Sequence, residues 1–238
     1  MNDRTALLTG ANKGIGFHVA RLLAEAGFGV LVGSRDVEHG ERAVAEIGGD
    51  ARLLVLDVTD PGSIERAAAR VGRVDVLVNN AGVQPVTGPP AGTGVEDLRR
   101  TYETNVFGVV AVTDAFLPAL RRSAHPRVVN VSSGTASLTW STGPNPQFAH
   151  GSPRSAAYRS SKAALNALTV FYAQEPAGDG IKVNALAPGR RATDLVPGAA
   201  GGGGDLAEAA RGAVRLALLP DDGPSGGFFS WDGTPVPW

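Results

Sequence analysis

Thr9-Gly10-Ala11-Asn12-Lys13-Gly14-Ile15-Gly16 stands between a short apolar run, Thr5–Leu8, and residues 14–26, where Ile15, Val19, Leu22, Leu23 and Ala26 recur at helical spacing. Gly27 then closes the helical pattern, as glycine does where φ must turn positive. Strand, glycine-rich turn and helix in that order make an anion cradle. Glycines let the backbone approach a pyrophosphate, and the helix start aims unpaired N–H groups at it. The spacing is G-x-x-x-G-x-G, which differs from the G-x-G-x-x-G dinucleotide fingerprint. It also differs from a Walker A loop, because Lys13 precedes the second glycine and no G-K-[ST] follows. The same letters suit a plain glycine turn; the position between the first strand and first helix favours Gly10, Asn12, Lys13, Gly14, Ile15 and Gly16 as a phosphate loop.

Residues 30–32, 52–56, 74–78, 128–131, 181–186 and 227–230 read as further strands. Asp60-Pro61 reads as an N-cap followed by proline at the first helical position, and Thr93-x-x-Glu96 as a capping box for a helix through Phe107 and beyond. Strands apolar on both faces, alternating with helices, predict a parallel sheet covered on both sides. The expected fold is α/β, a doubly wound Rossmann-type sheet of about seven strands in a single domain spanning residues 1–238. Residues 143–153, rich in Gly, Pro, Asn and Ser, read as a loop insertion, and the glycine run 201–204 as a loop.

With 22 Lys and Arg against 23 Asp and Glu, the net charge is −1, so no basic face for nucleic acid is expected. The absence of cysteine excludes disulfides and thiolate metal sites, and the four histidines show no metal-ligand spacing, so no metal is expected. No signal peptide is read at the N-terminus and no apolar run reaches the ~20 residues that span a bilayer, which predicts a soluble cytoplasmic protein without membrane contact.

After the second strand comes Gly33-Ser34-Arg35-Asp36. An acid at this position holds the free 2′-hydroxyl of NAD, whereas an arginine holds the 2′-phosphate of NADP. Arg35 comes first and Lys13 adds a cation, so NADP(H) is the expected cofactor. The competing reading leaves Arg35 a solvated charge and makes Asp36 a helix cap.

In Tyr158-Arg159-Ser160-Ser161-Lys162, an alanine-rich helical stretch, Tyr158 and Lys162 share one face at i and i+4. A free phenol has a pKa of about 10, and a neighbouring ammonium is expected to lower it toward a working range. Such a pair alone is weak. Together with the glycine loop, Asn79-Asn80-Ala81-Gly82 and Asn130-Val131-Ser132-Ser133, the sequence resembles the short-chain dehydrogenase/reductase family over residues 5–193. It is most similar to the compact, carbonyl-reductase-like members.

The resemblance implies that Tyr158 is the general acid/base. It makes Lys162 the residue that lowers the tyrosine pKa and binds the nicotinamide ribose. Ser133 becomes the hydrogen-bond partner of the substrate carbonyl, with Ser132 as the other candidate, and Asn105 the holder of a water relay. It further implies that Asp57, in Leu56-Asp57-Val58, contacts the adenine amino group. Asn79 and Ala81 would line the cofactor and stabilise the central sheet, Gly82 would line the cofactor, and Pro188, Gly189 and Thr193 would orient the nicotinamide amide. Arg191 stands where the family carries a branched apolar residue.

The implied activity is hydride transfer from NADPH to a ketone, aldehyde or quinone, with a small-molecule carbonyl or alcohol as partner. The alternative is a non-catalytic NADP(H) sensor, against which stands the presence of all four catalytic matches. Sugar-nucleotide epimerases are longer and carry a different glycine spacing. Gly223-Pro224-Ser225-Gly226-Gly227 fits a hydrolase nucleophile elbow, but no histidine follows it, so a turn is expected. Between Ser133 and Tyr158, Trp140 and Phe148 are expected to wall an apolar substrate pocket, the competing reading being a surface loop. The insertion leaves monomer and homo-oligomer both open.

Overall fold

In the computed structural model, residues 4–84, 88–143, 155–175, 180–191, 193, 195 and 203–238 are described. Among these residues, seven strands form one sheet: β1 (Thr5–Leu8), β2 (Gly29–Ser34), β3 (Ala51–Val55), β4 (Val76–Asn79), β5 (Arg127–Val131), β6 (Lys182–Ala187) and β7 (Phe228–Ser230). Their order is β3-β2-β1-β4-β5-β6-β7, and every pairing is parallel. The predicted doubly wound sheet is what the chain forms.

Side chains alternate across each strand, and the core divides accordingly. Ala6 and Leu8 of β1, Val30 and Val32 of β2 and Val76 and Val78 of β4 face one side. There they meet Val19, Ala20 and Leu23 of α1 (Gly14–Glu25) and Ala210, Ala213 and Leu216 of α8 (Leu206–Ala217). The α2 helix (Val37–Ile47) adds Ala43 to the same layer. Leu7, Leu77, Val128 and Val183 face the other side. They meet Ile64 and Ala67 of α3 (Pro61–Ala69) and Val112, Phe116 and Leu120 of α5 (Gly108–Leu120). Burial on both faces is why these strands read as unbroken apolar runs.

The predicted start of α3 is observed: the Asp60 carboxylate accepts from Gly62 N–H at 3.0 Å, and Pro61 opens the helix. The predicted capping box is not. α4 (Val95–Tyr102) starts behind Gly94 with no side-chain cap, and the Thr93 hydroxyl instead donates to the Pro89 carbonyl at 3.2 Å. The helical run does continue through Phe107 and beyond, as expected, with a π-helical turn, Glu103–Phe107, between α4 and α5. The Gly223–Gly227 stretch is a turn into β7, as expected: Gly226 N–H donates to the Val183 carbonyl at 2.7 Å and the Ser225 hydroxyl accepts from Val183 N–H at 3.1 Å.

Beneath the carboxyl ends of the strands, the Asn79 side-chain amide donates to Thr113 at 3.1 Å and to Asn130 at 2.9 Å. Asn130 donates in turn to Thr169 at 2.9 Å, on α7 (Ala156–Gln174). This buried row ties β4 and β5 to α5 and α7, fixing the strand ends that carry the site. Since β1 has β2 on one side and β4 on the other, a crevice opens above the carboxyl ends at β1, where the strand order reverses. Among the described residues no helix is long and apolar enough to cross a membrane, and no cluster of metal-ligating side chains occurs.

Candidate active site

A groove of about 790 Å³ occupies that crevice. Of the residues singled out from sequence, Gly10, Asn12, Lys13, Gly14, Ile15, Arg35, Asp57, Val58, Ala81, Gly82, Tyr158, Lys162, Pro188 and Thr193 line it. Ser132 lines it as well, whereas Gly16, Asn79, Asn105, Ser133 and Gly189 are not among its lining residues.

The glycine loop is braced from β4. The Thr9 hydroxyl accepts the N–H groups of Asn80 and Ala81, both at 3.0 Å. The Asn80 amide donates to the carbonyls of Thr9 and Gly10 at 3.0 and 2.9 Å. Gly10 has φ +60°, and a Cβ there would lie 3.0 Å from Ala81 Cα; one on Gly16 would lie 2.4 Å from Asn80 Nδ2. Asn80, not Asn79, is therefore the groove-lining member of the pair. The cofactor-lining expectation for Asn79 is corrected, while the sheet-stabilising one holds: it ends β4 with its side chain buried in the polar row below. Two adjacent asparagines at a strand end point to opposite faces, and sequence alone did not give the phase.

Helices α2, α3 and α8 are capped by the carboxylates of Asp36, Asp60 and Asp205, but α1 has no side-chain cap at Lys13. Its first N–H groups open onto the groove, which suits a phosphate. A pyrophosphate-bearing dinucleotide thus fits the residues present. Farther out lie exposed Arg35, Asp36 and His39. Asp36 is committed to α2: its carboxylate accepts from His39 N–H at 2.8 Å and pairs with the His39 ring at 3.1 Å. These contacts, the backbone hydrogen bond foremost, hold its pKa below the ordinary carboxylate value. His39 was not singled out from sequence, where its position one helical turn beyond Asp36 was the available signal. Asp57 folds an Asx turn, accepting Thr59 N–H at 2.9 Å and its hydroxyl at 2.7 Å.

At the other end, Tyr158 and Lys162 lie one turn apart on α7, with Lys162 Nζ 5.9 Å from the phenol ring centroid. The ammonium donates to the Val131 carbonyl at 2.8 Å and is 4% exposed; burial lowers its pKa from 10.5 to about 8. Burial also raises the pKa of Tyr158, opposed by a hydrogen bond from Ser133. This corrects the expected lowering by the ammonium: Lys162 is turned toward Val131, and desolvation dominates.

The two serines are separated by their contacts. Ser132 donates to Asn166 at 2.6 Å, into α7. Ser133 bonds with Thr135 at 2.8 Å and is the partner of Tyr158. Asn105 is turned inward by the π turn; its carbonyl oxygen accepts Val83 N–H at 2.8 Å, and its amide donates to the Val83 carbonyl and the Ser161 hydroxyl, both at 3.0 Å. Asn105 Oδ1 and Lys162 Nζ converge beneath Gly82, 3.4 and 3.5 Å from where its Cβ would be.

Trp140 does not line the groove. It belongs to α6 (Leu138–Thr142) and lies against Ala185, Ala187, Phe228 and Val236. The pocket-wall expectation for it is corrected, because α6 is held toward the C-terminal segment by Thr139, whose N–H and hydroxyl donate to the Trp238 carbonyl at 3.0 and 2.7 Å. Phe148 lies outside the described residues.

A sequence profile described as short chain dehydrogenase matches residues 4–200. The chain belongs to the short-chain dehydrogenase family. A similar relative, (-)-isopiperitenone reductase of Mentha piperita, is 34% identical over 97% of this chain and 97% of that protein. The NADPH-bound carbonyl reductase from chicken fatty liver has a TM-score of 0.85 at 28% identity, covering 100% of both chains. The 3-ketoacyl-(acyl-carrier-protein) reductase of Brucella melitensis, complexed with NADH, has a TM-score of 0.82 at 26% identity, over 95% of this chain and 96% of that one. This short-chain dehydrogenase is accordingly an oxidoreductase of a family that binds nicotinamide cofactors and includes carbonyl reductases.

Proposed function

We propose that this short-chain dehydrogenase reduces a small-molecule carbonyl with NADPH, and that Tyr158 is the proton donor. The observation that carries the reading is the convergence of Tyr158, Ser133 and Lys162 at one end of a groove whose other end is the uncapped start of α1. When bound, NADPH would supply the hydride for the carbonyl carbon. Ser133 donates a hydrogen bond to the carbonyl oxygen, where negative charge grows. Tyr158 Oη gives its proton to that oxygen, completing an alcohol. Burial raises the pKa of the phenol and the hydrogen bond from Ser133 opposes that rise; stabilising the phenolate as it forms is what lets the proton leave. Lys162 holds the nicotinamide ribose and, as an ammonium, steadies the phenolate left behind. Asn105 fixes the Val83 backbone beside Gly82 and orients water toward Lys162. Lys13 and Arg35 hold the 2′-phosphate. The Asp36 carboxylate is engaged by the start of α2 and by His39. Asp57 takes the adenine amino group, while Pro188, Gly189 and Thr193 face the nicotinamide amide.

The test is a panel of ketones, aldehydes and quinones followed by loss of reduced-nicotinamide absorbance, with NADPH and NADH in parallel. The expected result is turnover that favours NADPH. Cofactor binding with no turnover of any carbonyl, or oxidation of any matching alcohol, assigns the chain to non-catalytic binding instead.

A further inference from the structure

Arg191 follows β6 on the chain segment that carries Pro188 into the groove wall, and its side chain is 5% exposed. Its Nε donates to the Pro188 carbonyl at 2.8 Å, and Nη1 donates to Glu208 of α8 at 3.1 Å. The guanidinium carbon lies 4.8 Å from the centroid of the Trp231 ring, just beyond β7. The backbones meet at the same place: Arg191 and Gly204 form a parallel bridge, and Gly204 N–H donates to the Arg190 carbonyl at 3.0 Å. A Cβ on Gly204 would overlap Arg191 Nη1, so the guanidinium passes directly over that backbone. One side chain thereby joins three pieces of chain: the segment bearing Pro188, the start of α8 bearing Leu206, and the loop after β7. Pro188 and Leu206 both line the groove, as does Thr193, two residues beyond Arg191.

We infer that Arg191, with Glu208 and Trp231, is a positioning latch for the nicotinamide end of the groove; the inference rests on the dinucleotide reading above. An arginine suits this task. Its planar fork reaches a carbonyl and a carboxylate at once while its face lies on an indole, an arrangement lysine does not reproduce. Removing one partner strands a charge out of water, so the segment has a strong reason to hold this geometry. Arg191 acts through Pro188 and its neighbours, so its loss weakens the nicotinamide half of the ligand and spares the adenosine half, held by Lys13 and Arg35.

The experiment titrates wild type, Arg191→Met and Glu208→Gln with NADPH, NADH and adenosine 2′,5′-bisphosphate, which fills only the adenosine half. Kinetic constants and melting temperatures are recorded alongside. Expected for Arg191→Met is an about tenfold rise in the Kd of whichever reduced dinucleotide the wild type prefers. Glu208→Gln, which keeps the hydrogen bond and loses the charge, moves the same constant by roughly threefold. The bisphosphate Kd stays at its wild-type value in both, and KM for the dinucleotide rises more than kcat falls. An equal loss for dinucleotide and bisphosphate, or no loss for either, overturns the latch. A fall in melting temperature without a change in dinucleotide Kd overturns it too. Wild type that prefers NADH and ignores the bisphosphate overturns the NADP choice instead, and the latch is then scored on NADH against 5′-AMP.

Discussion

At the α1–β2 end of the groove, Lys13, Arg35, Asp36 and His39 are exposed; at the α7 end, Lys162, Asn105 and Ser161 are at most 4% exposed, with their polar atoms in hydrogen bonds to named partners. The first region places charge in water, where each group contributes modestly and substitution leaves the fold intact. The second keeps an amine out of water, which displaces its proton affinity and commits α5, α7 and β5 to one arrangement. Recognition is therefore adjustable at one end, while the reacting groups at the other are inseparable from the core.

The hardest test of this contrast is Tyr158→Phe. It keeps the ring and removes the proton, and turnover is expected to fall about a thousandfold with the dinucleotide Kd within twofold of wild type. Wild-type kcat in that variant removes Tyr158 from the chemistry. Next in size is the proton balance of Lys162. Its pKa falls from 10.5 to about 8 in the folded chain, a displacement worth roughly 3 kcal/mol. Between those two values the unfolded chain binds more protons than the folded one, so stability rises with pH across that window. Urea unfolding of wild type minus that of Lys162→Met, followed from pH 7 to 10.5, should show this rise. A flat difference means that the amine is not held out of water. The smallest effect belongs to the exposed end: Arg35→Ser should raise KM for NADPH about tenfold, through loss of a charge-assisted contact, and leave NADH unaffected. Equal losses for both cofactors separate Arg35 from the 2′-phosphate.

Most of the fold was legible because its determinants are local. Each apolar run carries its own period, and turn glycines such as Gly10 and Gly27 mark their own bends, with φ of +60° and +84°. The site was legible as residue types but not as orientations. Asn79 and Asn80 differ only in which face of β4 they end on, and Ser132 and Ser133 only in which side of β5's end they leave. Trp140 was assigned by its neighbours in sequence, yet it is placed by Phe228 and Val236, far along the chain. The role of Lys162 as a donor to Val131, and that of Arg191 between Pro188, Glu208 and Trp231, depend on contacts between distant segments, which no local period encodes.

The π turn at Glu103–Phe107 acts as a rotational offset. A surplus residue in a helix advances everything beyond it by about 100° relative to what precedes it. Here the offset aims Asn105 at Val83, and it brings Gly108 so close to the Val58 carbonyl that a Cβ would approach it to 2.7 Å. One residue of helical phase thus aligns two walls of the groove at once, so residue count in this turn is as much a part of the site as residue identity.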